Sequence, residues 1–143
     1  MISALRCGAG LDVGDIYIKQ PLSLHGSAEE IFLRADGVIG QIIEQIVCEE
    51  PAAIPQQGEP VLFSRRTPAQ SNIASCPEGD LRSWYDQIRM LDAECYPQAF
   101  LEAHGMRLEF RRVSQRSDGL HADVKIMPIA ASQTVSKIPP HDD

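Results

Sequence analysis

Apolar residues recur at three- and four-residue intervals through Ile31, Phe32, Ala35, Val38, Ile39, Ile42, Ile43, Ile46 and Val47, which predicts a long helix with one continuous stripe. Ser27-Ala-Glu-Glu30 precedes it as a capping box, in which the serine oxygen and the glutamate carboxylate satisfy each other's orphan backbone N–H groups. Pro51 ends it. A second helix is predicted after Asp80, with Leu81, Trp84, Tyr85, Ile88 and Leu91 on one face and a stop before Pro97.

Elsewhere the pattern is that of strands. Met1 to Cys7 and Ile16 to Gln20 flank a turn rich in glycine, and a hairpin is expected, with Gly14 supplying a positive φ and the Asp12 and Asp15 carboxylates accepting from nearby N–H groups. Pro51, Pro55, Gly58 and Pro60 mark a loop leading to a short strand, Val61 to Phe63. After the second helix, Ala99 to Ala103, a His104-Gly105 turn, Met106 to Val113, a Ser117 to Gly119 turn and the alternating Leu120, Ala122, Val124 and Ile126 predict a meander. The last stretch, 129–143, has no sustained apolar period and is expected to be a disordered tail.

Composition narrows the class. The 143 residues suffice for one domain with a real core, and 43% hydrophobic and 23% charged residues are ordinary for a globular chain. Thirteen Lys and Arg against twenty Asp and Glu give a net charge of −7, so any contact with nucleic acid has to be local. Cys7, Cys48, Cys76 and Cys95 have no zinc-ligand spacing, which fits neither a structural metal nor a disulfide framework and fits reduced thiols in the cytoplasm. No signal peptide or membrane-spanning run is recognised.

Taken by themselves, the candidate chemical residues have plain readings. Asp12 and Asp15 between glycines are turn residues. Arg65 and Arg66 beside Pro68 fit either phosphate binding or pairing with local carboxylates. Arg89 is read as an anchor between elements, through Asp92 or backbone carbonyls. His25, His104, His121 and His141 stand in loops or turns without a nucleophile nearby, so none is a candidate base.

Three blocks add a resemblance. Gly10-Leu-Asp-Val-Gly-Asp15, then Phe63-Ser-Arg-Arg-Thr-Pro-Ala-Gln-Ser71, then Tyr85 to Pro97 followed by Ala99-Phe100 resemble, in this order, signature blocks of the folate-dependent N-formyltransferases over roughly residues 1–113. That family includes methionyl-tRNA formyltransferases and nucleotide-sugar N-formyltransferases. The resemblance implies an α/β chain in which residues 1–60 are the remnant of a Rossmann-like catalytic domain, a hairpin plus a long amphipathic helix. Residues 61–128 would form a small α+β C-terminal subdomain.

It further implies that Asp12 is the catalytic aspartate, that Gly8, Gly10 and Leu11 line the 10-formyltetrahydrofolate site, and that Arg65 and Arg66 touch substrate. An amine attacking a formyl carbon must lose a proton, and the oxyanion needs a positioned donor, which explains an aspartate working beside an asparagine and a histidine. The sequence has no Asn-x-His, and its sole asparagine is Asn72, so the chain reads as the back part of such an enzyme and is expected to be inactive alone. The amine acceptor is a nucleotide-linked amino sugar or methionyl-tRNA, and the acidic balance favours the sugar. Cys95 stands where relatives commonly have glycine, so a positive φ there would be strained. The competing reading is a non-catalytic binding or assembly module, with self-association through the part of the 31–47 stripe that lacks cover.

Overall fold

The computed structural model describes residues 1–59 and 61–129. The elements run β1 (Ile2–Leu5), β2 (Ile16–Gln20), α1 (Ala28–Glu49), α2 (Leu81–Arg89), β3 (Ala99–Ala103), β4 (Met106–Arg116) and β5 (Gly119–Pro128), with short 3-10 turns at Pro68–Ser71 and Ile73–Ser75. This helix-and-sheet architecture fits the expected α/β class. The expected tail lies outside the described residues from position 130 onward.

Strands β1 and β2 form an antiparallel hairpin, with Ile2 opposite Gln20 and an irregularity between Ala4 and Leu5. α1 packs on this hairpin, and along it Ala28 and Ile42 are buried while Ile31, Ala35, Val38 and Ile46 are half-buried. The predicted stripe therefore divides. A second row, Phe32, Ile39, Ile43 and Val47, is exposed, with Val47 at 71%.

Both helix starts are set by local chemistry. At Ser27 the two reciprocal bonds of the capping box are present, and α1 ends at Glu50, which takes a left-handed φ of 45° just before Pro51. At α2, the Asp80 carboxylate accepts from the N–H groups of Arg82 and Ser83.

The second sheet is an antiparallel meander in the order β3-β4-β5. Its core-facing residues Leu101, Phe110 and Val113, together with Trp84, close over buried Ile73, Ile88, Leu91 and Ala99. β4 runs beyond the expected Val113 to Arg116 because a bulge between Arg111 and Ser114 lets pairing with β5 resume at His121. Arg112, at the bulge, has a φ of 48° and donates its N–H to the Asp92 carboxylate at 2.7 Å.

The expected strand Val61–Phe63 is not formed. These residues find no ladder partner among the described residues, and Leu62 and Phe63 are 94% and 91% exposed. Strand-like composition alone lacks the neighbour that makes a strand.

Candidate functional site

The loop between β1 and β2 carries the acidic turn. Its neck is closed by the Arg6 N–H donating to the Asp15 carbonyl at 2.7 Å. Gly14 sits inside that neck, where a Cβ would stand 1.7 Å from the Arg6 carbonyl oxygen. The expectation for Gly14 is thus corrected: close approach of two backbones requires glycine, and the left-handed residue of the turn is Asp12, with a φ of 55°. Aspartate tolerates that region better than most residues.

A second correction concerns what holds the turn. Among the described residues, neither the Asp12 nor the Asp15 carboxylate accepts a hydrogen bond; the backbone is held instead by Gln56, whose Nε2 donates to the carbonyls of Asp12 and Gly14, both at 2.7 Å. The loop after α1 is brought there by a two-bond bridge between Ile16 and Ile54, at 2.8 and 2.9 Å. A left-handed aspartate costs about 1–2 kcal/mol and two neutral hydrogen bonds contribute about 0.5–1.5 kcal/mol each, so the clamp is sufficient to offset the strain.

Gly8, Gly10, Leu11 and Asp12 line one open depression of about 270 Å³, together with Arg6 and Val13. The structure thus brings four of the six expected site residues together. Arg65 and Arg66 lie outside this depression on an exposed loop, and neither has a carboxylate partner among the described residues. Arg66 donates to the Gln70 carbonyl at 2.8 Å and supports the Pro68–Ser71 turn. Asn72 is committed elsewhere, its Oδ1 accepting from the Ala74 N–H at 2.9 Å.

A depression of this size is below the roughly 300–1,000 Å³ of typical small-molecule sites, so these residues do not enclose a ligand of that kind by themselves. A larger groove, about 720 Å³, lies away from Asp12, between the first turn of α1, α2 and the β4 bulge. Two of its three arginines are already engaged. Arg89 donates to the Leu24 and Gly26 carbonyls and to Asp86, while Arg112 pairs with Asp123, so the groove is a seam between elements. Cys95 lines it with a φ of 66°, as expected for a residue in a glycine position.

Two ionisable groups are shifted, both beside α2. Hydrogen bonds from the Ser83 hydroxyl and N–H lead in holding the Asp80 carboxyl below its ordinary 3.8, and burial, aided by the Asp80 charge, pushes the Cys76 thiol above its ordinary 9.0. Among the described residues no cluster of three His, Cys, Asp or Glu side chains is placed to hold a metal ion. No helix among them is long and apolar enough to cross a membrane.

Against this geometry, a family model described as "Methionyl-tRNA formyltransferase, C-terminal domain" matches residues 68–127. The solved structure of a methionyl-tRNA formyltransferase from Clostridium thermocellum is similar over 88% of this chain, with 44% sequence identity and a TM-score of 0.82. No curated protein matches the chain. An α/β chain with this hairpin, helix and meander belongs to the formyltransferase family and corresponds to a C-terminal portion of its members. The relatives on which that rests are methionyl-tRNA formyltransferases, and the chain spans 55% of the length of the solved one.

Gln56 is the residue that sequence reading missed. Its signal was faint, a glutamine in a proline-rich loop, and only the Ile16–Ile54 bridge reveals its reach.

Proposed function

We propose that this chain contributes the Asp12 wall of a site that transfers a formyl group from 10-formyltetrahydrofolate to a primary amine. The observation that carries the reading is the clustering of Asp12 with Gly8, Gly10 and Leu11 around one depression, in a chain 44% identical to a methionyl-tRNA formyltransferase. An exposed carboxylate on a fixed backbone is suited to orienting a neighbouring cationic base and holding its charge while the amine loses a proton. The asparagine and histidine that share this work have no counterpart at the depression, since Asn72 caps a turn and no histidine lines it. Transfer by this chain alone is therefore expected to be absent.

The acceptor supported by the names of both relatives is methionyl-tRNA. The net charge of −7 still weighs toward a nucleotide-linked amino sugar, with Arg65 and Arg66 as the phosphate contacts in either case. In this reading, residues 1–60 belong to the catalytic part, residues 61–128 form the small C-terminal part, and the protein works in the cytoplasm.

Calorimetric titration with 5-formyltetrahydrofolate, alongside NMR shifts at Gly8 to Asp12, tests the proposal. Saturable binding with shifts confined to that loop is the expected result; no shift at high ligand concentration overturns it. The exposed row Phe32, Ile39, Ile43 and Val47 favours a second reading, an assembly module that self-associates without folate. A concentration-dependent sedimentation coefficient with no folate response would select it.

A further inference from the structure

We infer that Gln56 is the positioning residue for Asp12: its carboxamide fixes the left-handed backbone of the turn and so sets where the Asp12 carboxylate is presented. The meaning of that carboxylate rests on the proposed function, whereas the clamp itself does not.

The geometry is specific. A carboxamide nitrogen carries two hydrogens, and here Nε2 faces two carbonyl oxygens, those of Asp12 and Gly14, at 2.7 Å each. Both neighbours are acceptors, so the amide has one workable orientation, nitrogen toward the loop. The two carbonyls bracket the turn on either side of Val13, and Asp12 itself holds a φ of 55° that non-glycine residues seldom adopt. Rotation of either peptide plane would break one of the bonds.

The clamp also has a fixed base. Ile54 exchanges backbone hydrogen bonds with Ile16 in both directions, so Gln56 is delivered two residues beyond a paired position and does not hang from a free loop. On the other side, the Arg6 to Asp15 bond and the bare Cα of Gly14 close the neck. The loop is thus held at its neck by backbone and at its tip by one side chain. Only the tip residue can be exchanged without altering the hairpin.

What the turn requires from position 56 is a donor, and that distinguishes positioning from filling space. Gln56→Glu is nearly isosteric but sets a carboxylate against two carbonyl oxygens. Gln56→Lys changes shape but offers an ammonium that can donate to both.

The test is NMR of the uniformly labelled full chain, without ligand. In Gln56→Glu, the carbon shifts and HN–Hα coupling that mark a left-handed Asp12 should be lost, while the Arg6 and Ile54 amides keep their protection from exchange. In Gln56→Lys, the Asp12 signature should persist. An unchanged Asp12 signature in the glutamate variant overturns the inference. So does its loss in the lysine variant, and that arm still decides if the glutamate variant fails to fold. Because no folate is present, failure of this test is separate from failure of the folate titration. Where the titration does show binding, the glutamate variant should bind about tenfold more weakly and the lysine variant within about twofold of the parent.

Discussion

The Nη1 of Arg89 lies 2.9 Å from the carbonyl oxygen of Gly26 and donates as well to that of Leu24 at 2.8 Å. With Nε on Asp86, a single guanidinium joins α2 to the chain entering α1. The loop at Leu24 to Gly26 has no ladder of its own, so these bonds, with those that Arg34 donates to the Ser23 and His25 carbonyls, fix its course. Arg89→Ala should cost about 2 kcal/mol or more in urea unfolding, since hydrogen bonds to charged donors are worth about 1.5–3 kcal/mol. Arg89→Lys should recover less than half of this, because a point charge cannot reproduce the fork.

Gly14 and Gly37 should respond oppositely to alanine. At Gly14 the new Cβ collides with the Arg6 carbonyl, so Gly14→Ala should open the hairpin neck and cost about 3 kcal/mol or more. At Gly37, on α1, nothing lies within 4 Å of the new Cβ, and Gly37→Ala should stabilise by about 0.5–1 kcal/mol. Thermal unfolding of the two variants checks both signs.

Asp80 gives a pH dependence of defined direction. Its carboxyl is held below 3.8 in the folded chain, so its contribution is fully present above the unfolded value and is lost as pH falls through the folded one. The acid limb of the unfolding midpoint, measured below about pH 4, should therefore flatten in Asp80→Asn relative to the parent. Above that range the difference between the two should be constant with pH.

Thiol reactivity should rank by environment. Burial raises the Cys76 thiol, which lowers its thiolate fraction at neutral pH, whereas Cys7 and Cys48 are exposed. Mass spectrometry during alkylation at pH 7.5 should find Cys76 modified more slowly than either; equal rates would contradict the burial. The ordering should weaken in urea as the fold is lost.

Much of the fold was legible because its causes are local. The Ser27–Glu30 box, the Asp80 cap and the alternation from Ala99 to Ile126 all act within a few residues, and each element stands where its pattern pointed. What could not be read depends on distant partners. Val61 to Phe63 has strand composition without a neighbouring strand, the need for glycine at position 14 comes from the Arg6 backbone, and Gln56 acts on residues 42 and 44 positions earlier. The Asp12 turn was visible as a turn, and its proposed chemistry came only through the family resemblance. How Arg65 and Arg66 stand outside the Asp12 depression was invisible from their spacing.

Among the described residues, the hydrogen bonds joining residues 1–59 to those from 68 onward all fall between Leu24 and Glu29: the two from Arg89, and the Glu29 N–H donating to the Asp92 carbonyl at 3.2 Å. α1 has 22 residues and is about 33 Å long, so these fastenings hold a rod by one end. Phe32 against Tyr96, with ring centroids 5.6 Å apart, adds an aromatic contact within the next turn. Any rotation at the helix entry, carrying the packed hairpin with it, would be magnified toward Val47 at the far end.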